Sequence, residues 1–490
     1  MKPYQKEFTK FFKESRQLFE QICAHLIGHN SYTESEIEDY LQVEGFDLLR
    51  QILQNNLNLR CSQEKTAEKV IGPDYVERKA NRYHTRHLET VFGQVLLKRK
   101  AYSAPGVRSL YPLDKVLNLP TNKYSYSLQE HVCSEAGLRS FDEVLREMET
   151  VVAGHVPKRQ AEQVVTNACQ DFDCYYAQSK LKSPAETGCI LVISLDGKGI
   201  VMRPEDLSSE RYSKRMAVVS AVYSIAPFVR TPTEIIASLN PGKTKQKPNK
   251  KRPKPQNKKV WARLECSVEN VVKHCFSEAN KHDPKGQKHW VALVDGNQKQ
   301  QLSLKREARS RGSQLTIILD FIHVMGYVWD AAKVLCIEQV EAWVQSKALK
   351  ILQGQSSLVA ASIRRTATNR ELTGAQRKEA DRCANYFLNQ KAYMKYDQYL
   401  KLGYPIATGV IEGACRYLVK DRMDRTGARW RIPGAEAVLK MRALKTNDDF
   451  EDYWVFHQSQ AFEHNYAAIQ VIPKRVKMAL NPDHEMGCAA

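Results

Sequence analysis

Three short apolar runs, each closed by an aspartate, constrain this chain more than any other feature. They are CILVISLD (189–196), WVALVD (290–295) and LTIILD (315–320). Runs rich in β-branched residues, without polar alternation, mark strands covered on both faces. Each such strand delivers one carboxylate at its tip: Asp196, Asp295 and Asp320. MAVVSAVYSI (216–225) and KVWARLE (259–265) read as two further strands, and helical patterns fit 267–281 and 299–310.

Strand, strand, strand, helix, strand, helix, strand, helix is the order of an RNase H-like α/β fold. In that arrangement the first and fourth strands lie side by side, so Asp196 and Asp295 converge at one sheet edge. A later helix starting near Thr408 carries Glu412, a third acid able to join them. Carboxylates gathered in this way suit hard divalent cations such as Mg²⁺, which prefer oxygen ligands. Each acid also has a plain structural reading. Asp196-Gly197 and Asp295-Gly296 are turn-forming pairs, and Glu412 can answer the dipole of its own helix.

The formal net charge is +19, from 74 Lys and Arg against 55 Asp and Glu. Such an excess favours a polyanionic partner through counterion release. No apolar run approaches the length of a spanning helix, and the N-terminal stretch lacks the apolar core of a signal peptide. The twelve cysteines are scattered without a C-x-x-C pair, which argues against a zinc ribbon and a disulfide framework. The segment 241–259 holds Lys or Arg at nine positions, Pro at four, and no acid. It cannot bury a core and reads as a basic loop.

Residues 1–80 read as helical and 87–103 as a hairpin around Gly93. Helical segments at 126–136, 140–152 and 157–180 follow. The turn VAGHVP precedes Lys158, Arg159, Gln160 and Gln163, the placement that a helix-turn-helix gives to its groove-facing residues; a plain helical connector is the alternative. From Val324 to about Tyr404 the pattern is helical, with Trp329, Trp343, Leu349, Leu352, Tyr386 and Phe387 as core candidates. On the glutamate helix, Arg416 and Lys420 follow Glu412 at i+4 and i+8 and share its face, either as phosphate contacts or through a Glu412–Arg416 salt bridge. Arg425, Arg429 and Trp430 lie beyond; an arginine beside an aromatic can grip an unpaired base, whereas a core role is the commoner fate of Trp.

The segments ISLDGKGIVMRPEDL, VWARLE, WVALVDGNQKQ, LTIILDFIHVMGYVWDAA and IATGVIEGACRYLVKDRMDRTGARW resemble the transposases of the Kra group of bacterial insertion sequences. LYPLDKVLNLP, YSLQEHVCSEAG, SFDEV and VPKRQAEQVV extend the likeness, which covers roughly residues 80–458. The resemblance implies a DDE transposase with two Mg²⁺ or Mn²⁺ ions held by Asp196, Asp295 and Glu412. Asp320 and His323 resemble a D-x-x-H signature of Mutator-like relatives, with Asp320 the alternative second acid. His323 reads either as a buried, hydrogen-bonded histidine or as a DNA contact.

The division expected on this basis is a helical N-terminal region (1–80), a hairpin and helical DNA-binding region (81–183), an RNase H-like core (184–323 and 406–445) interrupted by a helical insertion (324–405), and a tail (446–490). DNA-binding candidates are Lys158, Arg159, Gln163, Arg416, Lys420, Arg429 and Trp430. The implied partners are terminal inverted repeats and target DNA, engaged by a homodimer or larger assembly in the bacterial cytoplasm at the nucleoid, with no membrane and no zinc. The rival functions are a metal-dependent nuclease that cuts without joining and a catalytically silent DNA-binding regulator.

Overall fold

The computed structural model describes residues 9–181, 187–207, 213–239, 251–425 and 427–474. The chain is mixed α/β and divides into two compact units, 1–171 with 451–490, and 172–450. No helix among the described residues is long and apolar enough to cross a membrane.

The smaller unit opens with the helices Lys13–Gly28 and Glu34–Gln63. The second begins at a capping box, in which Thr33 and Glu36 satisfy each other's backbone N–H groups. The stretch 67–80, expected as helix, is instead β1 (Ala67–Ile71) and the start of β2 (Glu77–Thr90), which pairs with β3 (Gly93–Ser103). Charged residues at Glu77, Arg78, Lys79, Arg82 and Arg86 hide the strand from a search for apolar runs. Residues past 446, expected as a tail, form the helix Phe450–Phe462 and a strand, Gln470–Pro473, that pairs antiparallel with β1. After the hairpin come the short helix Pro112–Val116 and then Tyr126–Ala136, Phe141–Val151 and Lys158–Ala168. The segment expected to run on as helix to 180 breaks after Ala168 and resumes at Phe172. In the turn before Lys158, a Cβ on Gly154 would lie 2.2 Å from the Thr90 carbonyl oxygen, so only glycine fits.

The larger unit is built on a five-stranded sheet of β4 (Ile190–Val201), β5 (Lys214–Ile225), β6 (Gln256–Arg263), β7 (His289–Val294) and β8 (Leu315–Leu319), in the order β6-β5-β4-β7-β8. The first three strands form an antiparallel meander, and β4 pairs parallel with β7, as β7 does with β8. The apolar runs are the central strands, and residues 190–195 and 290–294 are buried throughout. β4 does not stop at Asp196, as expected, but runs on to Val201 because β5 pairs with it along its whole length. Of the basic segment 241–259, residues 241–250 lie outside the described residues, and β6 begins at Gln256.

Helices cover both faces of the sheet. On one, Val268–His282 packs with His274 edge-on to Trp261 of β6, ring centroids 4.6 Å apart. On the other lies the helix that begins at Gly409, whose Cys415 reaches Asp196. Between β8 and that helix stand Phe321–Val334, Val340–Leu352, Ser356–Asn369, Gly374–Gln390 and Tyr396–Lys401. Phe387 and Leu352 are buried there, whereas Trp329, expected in the core, is 38% exposed.

The outer edge of β6 is closed by a side chain. The Val260 N–H donates to Asn447 Oδ1 (2.8 Å), and Asn447 Nδ2 donates to the Val260 carbonyl (3.0 Å) and to the Tyr176 hydroxyl (3.0 Å). One amide thus replaces a neighbouring strand. Asn447→Ala leaves these buried groups without partners, and urea unfolding should show a loss of about 2–4 kcal/mol.

Candidate active site

The pairing register places the acids. Ile190 opposes His289 and Ser194 opposes Leu293 across β4 and β7. Two residues further in the same register, Asp196 stands level with Asp295. Val291 opposes Thr316 and Val294 opposes Leu319 across β7 and β8, so the next pair is Asp295 with Asp320. Three aspartates therefore occupy one row across three adjacent strands. Neighbouring strands lie roughly 4.8 Å apart, so adjacent members of the row are near neighbours at the backbone.

Each aspartate is held differently. Asp196 accepts the thiol proton of Cys415 at Oδ2 (Sγ to Oδ2 3.3 Å) and its neighbour's N–H, from Gly197, at Oδ1 (2.6 Å). Asp295 lies in a turn, with Oδ1 accepting from the Asn297 N–H (2.9 Å). Asp320 is buried and caps the helix Phe321–Val334 by accepting from the Ile322 N–H (2.9 Å). Its other oxygen accepts the hydroxyl of Thr408, the residue that precedes the helix carrying Glu412. Asp320 therefore ties the end of β8 to the start of that helix, while Asp196 and Asp295 are half-buried.

Glu412 is exposed as a residue, yet its carboxyl is held above the usual carboxylate range. Partial burial comes first, then the negative charges of Asp320 and Asp196. Burial also raises Asp320, against the opposing Thr408 hydrogen bond. The charges thus act on one another, although among the described residues no three His, Cys, Asp or Glu side chains converge at ligand distance. The donor set is carboxylate oxygen, which fits a hard divalent cation.

The helix that bears Glu412 is α-helical only to Ala414, and residues Cys415–Lys420 form a π-turn. Arg416 and Lys420, expected on the face of Glu412 at i+4 and i+8, both fall within this π-turn. Arg416 points to Asp421 (3.8 Å) rather than forming the expected alternative salt bridge with Glu412, and both Arg416 and Lys420 are exposed. Arg429 is exposed as well, whereas Trp430 is half-buried, its indole N–H donating to the Met423 carbonyl (3.1 Å) under the Arg422 guanidinium.

His323, for which burial was one expectation, is exposed beside Tyr327 and Tyr386. Lys158, Arg159 and Gln163 lie in the smaller unit, all exposed on the helix Lys158–Ala168. Lys158 pairs there with Asp142 (2.7 Å), and Gln163 donates to Asn167 (2.7 Å).

Sequence reasoning missed Thr408, Cys415, Tyr386 and Gln390. Tyr386 donates to the Asp295 carbonyl (3.1 Å), and Gln390 donates to that of Gly296 (3.3 Å). Only the proximity of Thr408 and Cys415 to Glu412 in the sequence was a signal for any of them. The chain matches no protein-family model and no curated protein.

The raised carboxyls give stability a sign with pH. A carboxyl whose folded pKa exceeds its unfolded value binds a proton more tightly when folded, so it costs no stability at low pH and costs progressively more as pH rises through the folded value. Asparagine at position 320 keeps the cap through Oδ1 and presents Nδ2 as a donor to the Thr408 hydroxyl, but removes the charge. In chelator-treated buffer, denaturation of Asp320→Asn should show a smaller loss of stability between pH 4 and 7 than the wild type. An equal loss would mean that Asp320 does not act on Glu412.

Proposed function

We propose that this chain is a DDE transposase of the Kra type, with an RNase H-like core interrupted by a helical insertion. The observation that carries the reading is the row of Asp196, Asp295 and Asp320 across parallel neighbours, with Glu412 feeling two of those charges. The strand order, with an antiparallel meander beside two parallel strands, supports the same fold. The net charge of +19 supports a DNA partner.

In this reading Asp196, Asp295 and Glu412 hold two Mg²⁺ or Mn²⁺ ions, while Asp320 positions the glutamate helix through Thr408. The ions, when bound, activate the attacking oxygen and relieve charge on the leaving one. Cys415 occupies one oxygen of Asp196 and so limits how that carboxylate can turn. Lysines and arginines, Lys158 among them, contribute phosphate contacts, and Arg159 and Gln163 read the terminal repeat. Water attacks the phosphodiester at the element's end to free a 3′-OH, which then attacks target DNA.

Asp196→Ala, Asp295→Ala and Glu412→Ala should each lower strand cleavage on the order of a thousandfold or more, the loss of several kcal/mol of transition-state stabilisation. Binding to transposon-end DNA should persist in all three. Asp320→Asn should keep most of the activity; its failure together with an active Asp295→Ala would make Asp320 the second acid instead. A strand-transfer assay with pre-cut ends separates the transposase from a nuclease that only cuts, and absence of any cleavage by the wild type would favour a silent DNA-binding regulator.

A further inference from the structure

The helical insertion holds a cavity of about 920 Å³ between the helices Phe321–Val334 and Gly374–Gln390. It is a shallow depression, open to solvent along most of its mouth. Its walls carry Arg377, Lys378 and Arg382 against a single acid, Asp381, which is already engaged by Arg377 (3.0 Å). Arg382 is likewise paired, with Glu379 and Asp330, so the positive charge this wall offers a ligand is that of the exposed Lys378.

Flat groups line the same cavity. Tyr327 and Tyr386 stack with ring centroids 3.7 Å apart and planes within 10°. The Arg382 guanidinium lies over Tyr327, 5.1 Å from its centroid, and is fixed by Glu379 (2.9 Å) and Asp330 (3.5 Å). Guanidinium, ring and ring form a preorganised ladder whose side-chain entropy is already spent. A base that packs against such a wall gains dispersion and cation–π attraction whatever its identity.

The cavity is joined to the acid row by one residue. Tyr386 lines it and also donates to the Asp295 carbonyl. The contact is close: a Cβ on Gly296 would lie 2.9 Å from the Tyr386 hydroxyl, and Gly296 has φ +101°. Gln390, one turn along the same helix, holds the Gly296 carbonyl and accepts from Gln301 (2.9 Å). A ligand in the cavity is therefore separated from the turn after Asp295 by a single side chain.

We propose that this cavity binds one unpaired nucleotide of a DNA strand whose neighbouring phosphodiester lies at the acid row. The base stacks on the outer face of the exposed Arg382 guanidinium, which Tyr327 and Tyr386 back, and its phosphate meets Lys378. The proposal rests on the transposase reading and adds to it a site that distinguishes unpaired from paired DNA.

The test uses the full-length protein and two probes, a blunt duplex and the same duplex with a short single-stranded extension containing 2-aminopurine. The wild type should bind the extended probe more tightly and quench its fluorescence by stacking. Lys378→Glu and Asn389→Ala change exposed residues that line the cavity. Each should weaken binding of the extended probe roughly five- to a hundredfold, the range set by one stacked and contacted base, and leave the blunt duplex within about twofold. Tyr327→Leu should abolish the quenching. Equal weakening on both probes, or quenching that survives in Tyr327→Leu, would overturn the nucleotide site while leaving the transposase reading intact. Failure of the wild type to bind either probe would instead overturn the transposase reading itself, and the site with it.

Discussion

Two parallel pairings, β4 with β7 and β7 with β8, fix the position of almost everything that matters in the larger unit. Parallel strands leave a sheet in the same direction, so residues that continue one register come out side by side. Asp196, Asp295 and Asp320 are separated in the chain by β5, β6 and the helices Pro232–Ser238, Val268–His282 and Gln298–Ser310, yet pairing alone brings them level. The apolar runs make this arrangement stable, because such strands must be covered by helices on both faces. The sheet builds the row, and the helices decide what surrounds it.

The surroundings divide the labour among four acids. Asp320 is buried and doubly hydrogen-bonded, which suits a joint between elements better than a group that must exchange ligands. Asp196 and Asp295 are half-buried, and Glu412, on a helix whose start is tied by Thr408, feels the charges of Asp320 and Asp196. Holding like charges within reach of one another is unfavourable, and the sheet register and the Thr408 joint carry that cost. A cation would relieve it, which links the strain in the carboxyls to the chemistry proposed for them.

Much of this was legible in the sequence because burial leaves a simple trace. The runs ending in Asp196, Asp295 and Asp320 gave the strands of the parallel half within a residue or two, apart from the extension of β4. That extension depends on pairing with β5, a long-range event with no local signature at Gly197 or Gly199. The part of β2 before His87 was invisible for the opposite reason, since a strand studded with charges lacks the apolar pattern being sought. The π-turn at Cys415–Lys420 was equally hidden, because periodicity assumes a fixed residue count per turn. Tyr386 and Gln390 read as core or polar positions of an ordinary helix, and only the fold reveals that they hold the turn after Asp295. The cavity beside them comes from helix packing, which no local stretch encodes.

The strand Gln470–Pro473 closes the smaller unit by pairing with β1. Its partner leaves the ribosome some four hundred residues earlier, on the order of tens of seconds at typical elongation rates. During that interval β1 has an open edge, whereas the larger unit, continuous from 172 to 450, can fold as it emerges. The first sheet to be synthesised is thus the last to be finished. A prematurely terminated chain would carry its acids on a complete sheet but keep β1 unpaired on that side, a ready substrate for quality-control proteases or for pairing with another nascent chain.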